Sequence, residues 1–228
     1  MNKNRISTIH ALLSLIIPVI PIFYPALLQF VTKSMAIYAV IFFSFFYFSN
    51  QIRPYKPADG ITAFRLLIAV FLLLLIPHNY LAPLIIFSII IFAEVLDGLD
   101  GKIARRTGPT KFGAIWDMET DAWFILSLSF ITVFYLDYPW WILGFGLIRY
   151  FFYFIFYFLK PDSAAFPKKL SFFSKTICVS TVLSLALFWI IPNTPGIYLG
   201  FIILSLLLVS FFWEGWVYLE IRFQTKNR

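Results

Sequence analysis

Eight runs of apolar residues, separated by short charged or turn-forming segments, dominate this chain. A helix needs about 20 such residues to cross a hydrocarbon layer of roughly 30 Å. The expected spans are 9–31, 34–50, 62–77, 81–99, 113–135, 139–159, 171–191 and 197–219. They lack period-two alternation and are too long for barrel strands, so the expected fold is all-α, a polytopic membrane helical bundle of about eight helices. Composition agrees: 61% of the 228 residues are hydrophobic and 13% are charged. Ordinary soluble domains carry about 25% charged residues. One water-soluble core of this size cannot hide that much apolar surface. A soluble globular protein and a disordered chain are thereby excluded. The single cysteine, Cys178, excludes an intrachain disulfide scaffold and a cysteine zinc cluster. Pro18, Pro21 and Pro25 should kink or break the first span. The third span is short and should begin before residue 62.

Loop charges give the orientation. If the spans alternate, one side of the membrane holds fourteen Lys and Arg residues, and the other holds Lys33 alone. That asymmetry places both termini in the cytoplasm. It also accounts for the net charge of +7 without a nucleic-acid partner. The basic N-terminus is followed by an apolar run with no small-residue cleavage pattern, so a retained membrane segment is expected rather than a signal peptide. Residues 51–60, with Pro54, Pro57 and Asp59-Gly60, form the plausible internal boundary. It divides two additional N-terminal helices, 1–56, from a six-helix remainder, 57–228.

Six of the eleven acidic residues fall between Glu94 and Asp121. Ionisable groups in or near a bilayer are costly and usually functional. Asp97 and Asp100 are three residues apart and Asp117 and Asp121 four apart, so each pair shares a helix face. The short segment 107–111 lets the two helices pack antiparallel, which brings four carboxylates to one depth. At 1.5 Å per residue, 81–96 spans about 24 Å, placing the cluster near the cytoplasmic edge. Crowded carboxylates repel, and an all-oxygen set favours Mg²⁺ or Mn²⁺ over zinc. His10 and His78 lie far from the cluster in sequence and show no ligand spacing. A structural alternative is a salt-bridge cluster with Lys102, Arg105 and Arg106. The EF-hand, P-loop, nucleophile-elbow and zincin patterns are absent.

Asp97-x2-Asp100-Gly101-x2-Ala104-Arg105-x7-Gly113-x3-Asp117-x3-Asp121 resembles the signature of the CDP-alcohol phosphatidyltransferase family, with eight fixed identities in 25 residues. Thr62-x2-Arg65 is similar to the Thr-x-x-Arg at the start of that family's first core helix, and the six-helix remainder resembles its core. The spacer after Arg105 is seven residues where eight is more usual. The resemblance implies transfer of a phosphatidyl group from CDP-diacylglycerol to a small alcohol, releasing CMP. It implies Asp97, Asp100, Asp117 and Asp121 as ligands of Mg²⁺ or Mn²⁺, with Asp121 also the base. Thr62, Arg65, Asp97, Gly101, Ala104, Arg105 and Gly113 would bind the CDP-lipid. A homodimer in a bacterial inner membrane, its active site facing the cytoplasm, is likewise implied.

Arg149 and Lys175 interrupt apolar spans and resemble the cations of a phosphate-binding acceptor pocket, which favours glycerol 3-phosphate as acceptor. The alternative for Arg149 is pairing with the acidic cluster or Asp137, and for Lys175 snorkelling to the interface. Choline, serine and inositol or its phosphate remain alternative acceptors. Glu94, one turn before Asp97, has no assigned role. A divalent-cation transporter is the competing class, although its polar groups should be spread across several spans.

Overall fold

The computed structural model describes residues 3–48, 56–78, 81–108, 110–159, 172–191 and 193–226. Among these residues there are eight helices of 14 residues or more and no strand. They are α1 (Lys3–Ile16), α2 (Leu28–Phe48), α3 (Pro57–Leu75), α4 (Pro83–Thr107), α5 (Lys111–Tyr135), α6 (Gly144–Leu159), α7 (Phe172–Leu187) and α8 (Asn193–Lys226). Among the described residues, three segments are long and apolar enough to cross a membrane by length and composition: Pro25–Phe48, Pro57–His78 and Asn193–Trp213. Helices α4 and α5, of 25 residues each, carry the acidic motif. Outward faces are apolar, with Phe30, Ile37, Phe64, Phe71, Phe201 and Phe212 exposed. Small hydroxyl residues lie inside: Ser129 donates to the Ile125 carbonyl and Thr181 to that of Ile177. That is the polarity of a bundle whose surroundings are lipid. Trp140, Trp213 and Trp216 are exposed, as interfacial anchors are.

The first two expected spans divide differently from the sequence expectation. The sequence predicts a first span over 9–31, kinked or broken at its prolines, and a turn before residue 34. Instead, Pro18, Pro21 and Pro25 break the chain into short single-turn pieces between Ile16 and Leu28, and the second long helix begins at Leu28. Each proline removes a helical donor, so three within eight residues prevent a continuous helix. Lys33 consequently lies inside α2. The third span begins at Pro57, earlier than residue 62, as expected.

Helix α3 is the hub, packed against α2, α4 and α5. Its buried residues Arg65, Leu66, Ala69, Leu72 and Leu73 recur at helical spacing. Pro57 occupies its first turn, and the Asp59 carboxylate accepts the Lys56 backbone N–H at 3.3 Å. Helix α4 stops at Gly108, whose φ of +84° suits glycine. The Lys56 ammonium donates to the carbonyls of Thr107 and Gly108 there. The Thr110 hydroxyl accepts the Gly113 N–H at 2.9 Å and caps α5. One turn is thus fixed from both sides, and it sets how α4 and α5 lie together.

Helices α5 and α6 approach closely at Gly146, where an added Cβ would strike the Leu126 backbone and lie 2.7 Å from its Cδ1. A Gly146→Ala variant should therefore lose about 1–3 kcal/mol, the usual range for overpacking. Its thermal midpoint in detergent should fall. Gly98, with nothing within 4 Å of its added Cβ, is the control: Gly98→Ala should hold or raise the midpoint. Equal midpoints for the two variants would contradict the close approach.

Candidate active site

Three helices build the site. Helix α3 contributes Thr62 and Arg65 from adjacent turns, α4 contributes Asp97 and Asp100, and α5 contributes Asp117 and Asp121. The Arg65 side chain, only 2% exposed, enters the middle of the carboxylates. Its Nη1 pairs closely with Asp97 Oδ1 and lies 3.5 Å from Asp117 Oδ1 and 3.8 Å from Asp100 Oδ2. Its Nη2 is 2.8 Å from Asp121 Oδ1. The Thr62 hydroxyl donates to Asp100 Oδ2 at 3.0 Å and fixes the most buried carboxylate. The four carboxylates expected to converge do so.

One guanidinium does not satisfy four carboxylates. With all four ionised, the group keeps three uncompensated negative charges. Asp117 Oδ1 and Asp121 Oδ1 are buried and lack an aligned hydrogen bond, even though Arg65 is within ion-pair distance. Ligand oxygens of Asp97, Asp117 and Asp121 lie within 4.8 Å of one another. An all-oxygen donor set with unsatisfied lone pairs fits a hard divalent cation such as Mg²⁺ or Mn²⁺.

The remaining expected residues are distributed as follows. Gly101 and Ala104 are half-buried on α4, beyond Asp100. An added Cβ at Gly113 would lie 2.9 Å from Thr110 Oγ1 and 3.3 Å from Asp59 Oδ1, so its lack of a side chain also serves the α5 cap. The side chains of Arg105 and Lys175 lie outside the described residues. Glu94 is half-buried and within electrostatic reach of Asp97, Arg65 and Asp121. Lys102 and Arg106 are exposed, and among the described residues the counter-ion of the cluster is Arg65.

Arg149 does not reach Asp137. Its Nη2 donates to Glu119 Oε1 at 3.3 Å. The sequence also separates His10 from the four aspartates, and the structure places it against another acidic residue of α5. His10 Nε2 lies 3.6 Å from Glu119 Oε2, two residues along α5 from both Asp117 and Asp121. The sequence expectation gave no role to Glu119, His10 or Tyr38. The available signal was Arg149 itself, because a cation inside an apolar span needs an anion nearby.

A family model described as CDP-alcohol phosphatidyltransferase matches residues 56–217. The chain belongs to the CDP-alcohol phosphatidyltransferase family. No curated protein and no solved structure matches it. The family's activity is phosphatidyl transfer from a CDP-alcohol in phospholipid synthesis, so this is a transferase with a CDP-alcohol donor and an alcohol acceptor. The match begins at Lys56, which holds the turn between the two motif helices, and it leaves α1 and α2 outside.

Removing Arg65 leaves the carboxylates uncompensated. Breaking a fully buried pair costs about 3–5 kcal/mol, and the partial exposure of Asp97, Asp117 and Asp121 brings the loss here below that. Arg65→Met should lower the thermal midpoint in detergent well below that of Thr62→Val. Added MgCl₂ should raise the variant's midpoint more than the wild type's, since the cation supplies the missing positive charge. A magnesium response equal to that of the wild type would contradict this electrostatic account.

Proposed function

We propose that the protein transfers a phosphatidyl group from CDP-diacylglycerol to the hydroxyl of a small alcohol, releasing CMP. The observation that carries this reading is the convergence of Thr62, Arg65 and the four aspartates at one point within the family-matched segment. Asp97, Asp100, Asp117 and Asp121 would hold Mg²⁺ or Mn²⁺. Bound there, the ion screens the donor pyrophosphate from the carboxylates and stabilises charge on the attacking and leaving oxygens.

Asp121 takes the proton of the acceptor hydroxyl as its oxygen attacks the lipid-bearing phosphorus and the bond to CMP breaks. That role requires a carboxylate oxygen not wholly committed to the cation. Thr62 keeps Asp100 oriented through its 3.0 Å hydrogen bond, and Arg65 holds Asp97 and Asp121 in register from α3. Gly101, Ala104 and Gly113 leave room for the nucleotide, and Arg105 meets a phosphate.

Glycerol 3-phosphate is the acceptor that Arg149 and Lys175 favour, since a phosphate gains charge-assisted hydrogen bonds from both. The Arg149–Glu119 pair carries no net charge, which keeps choline, serine and inositol as acceptors to be compared. The two N-terminal helices form a unit added to the 57–228 core. The active site and both termini face the cytoplasm of a bacterial inner membrane, and the enzyme works as a homodimer.

Purified protein supplied with CDP-diacylglycerol, MgCl₂ and an acceptor panel should release CMP and form the corresponding phospholipid. Asn at Asp97, Asp100 or Asp117 should abolish both metal binding and turnover. Asp121→Asn should lose turnover by about 10²–10⁴-fold, the usual worth of a general base, while still binding CDP-diacylglycerol. Near-normal turnover in Asp121→Asn would assign the base elsewhere. Divalent-cation flux into proteoliposomes without CMP release would favour the transporter class. A reporter fused after Arg228 should be active only in the cytoplasm, and external activity would reverse the orientation.

A further inference from the structure

Outside the aspartate cluster, a set of polar and charged side chains including His10 and Glu119 is buried or half-buried between helices, and it joins the N-terminal pair to the core. Helix α1 packs along α6 and brings His10 inside the bundle, 3% exposed. The His10 ring stacks on Phe42 of α2, with centroids 3.8 Å apart and planes 5° apart. Phe43 and Tyr150 meet it edge-on. The ring is therefore held on three sides. The tautomer that satisfies its polar contacts has the Tyr38 hydroxyl donating to Nδ1 at 2.7 Å and Nε2–H directed at Glu119. At 3.6 Å the latter is an electrostatic contact, longer than a formed hydrogen bond. Nε2 is buried and has no hydrogen-bond partner.

The Glu119 carboxylate is divided between two neighbours, Oε2 facing His10 and Oε1 accepting from Arg149. Among the described residues Arg149 makes its ion pair with Glu119 and none with Asp121. Without an anchor, a long arginine side chain samples several rotamers, and ordering it when the acceptor binds costs entropy. Glu119 supplies an anion that holds one nitrogen and leaves the other donors of the guanidinium fork available. His10, itself fixed by Tyr38, holds Glu119.

We propose that α1 and α2 complete the acceptor end of the active site: His10 and Tyr38 fix Glu119, and Glu119 holds Arg149 in place for the acceptor. Glu119, His10 and Tyr38 are positioning residues, and Glu119 is the specificity-determining one, because it decides how much of the Arg149 charge the acceptor meets. This rests on the phosphatidyl-transfer reading above.

The test is a double-mutant cycle in the full chain, following CMP release with glycerol 3-phosphate or whichever panel acceptor turns over fastest. Glu119→Gln and His10→Ala should each lower kcat/KM for the acceptor by about tenfold or more. The Michaelis constant for CDP-diacylglycerol should stay within about threefold of the wild type. In an Arg149→Ala background the same substitutions should cost less than about threefold, because residues that act through one another are not additive. His10→Gln, which keeps a donor toward Glu119, should recover activity relative to His10→Ala. Tyr38→Phe, which removes only a hydroxyl, should give a smaller loss of the same kind and guards against a His10 variant that fails to fold. Full, independent losses in the Arg149→Ala background would overturn the positioning role while leaving the reaction standing. So would equal changes in both Michaelis constants. A wild-type enzyme that releases no CMP with any acceptor would overturn the reaction and this role together.

Discussion

A single buried guanidinium facing four carboxylates is the interaction on which the rest of this structure depends. Arg65 belongs to α3, Asp97 and Asp100 to α4, and Asp117 and Asp121 to α5, so one side chain ties three helices at a common depth. Inside a bundle, unpaired carboxylates would force those helices apart or take up protons. The hub position of α3 follows from this: its apolar stripe packs against α4 and α5 while Arg65 neutralises part of their charge. Neutralisation is incomplete, and the incompleteness is chemically useful. A cluster satisfied by arginine alone would have no lone pairs left for a cation.

The N-terminal helices are attached by a different kind of force. Helix α2 runs antiparallel to α5, with Thr32 bonded to the Tyr135 hydroxyl at one end and Phe46 stacked on Phe112 at the other. Between them Phe43 meets Trp116 edge-on at 5.5 Å. Aromatic contacts of this type contribute beyond their buried area and are directional, which a lipid environment does not weaken. The wealth of phenylalanine in the chain therefore has two uses. Part of it faces lipid, and part forms the seam that seats His10 beside Glu119.

Much of this was legible in the sequence because helical periodicity is a local property. Spacings of three and four residues placed each aspartate pair on one face, and the short polar segment after Thr107 required the faces to meet. The proline positions announced a break, but not where the following helix would start. Leu28 begins α2 because the broken stretch ends at Pro25, whereas hydropathy is as high before the prolines as after them. The sequence could not show that His10 and Glu119 meet. They are 109 positions apart, and the packing of α1 on α6 that joins them leaves no periodic trace. The Thr62-x2-Arg65 spacing marks Arg65 as part of a motif, and its position at the centre of the charge follows only from the packing of α3.

The seven-residue spacer after Arg105 illustrates which parts of the motif geometry are rigid. From Asp100 to the end of α4 is seven residues, and from the start of α5 to Asp117 is six. At 1.5 Å per residue these arms are about 10 Å each, so the four carboxylates stay level whatever joins them. A residue added to or removed from an arm would rotate the aspartates by about 100° and destroy the site. The joint is different. Gly108 supplies the turn, Thr110 the cap and Lys56 the clamp, and all three act on backbone groups at helix ends. A change of spacer length is therefore tolerable only in the joint, because the arms set carboxylate depth and direction.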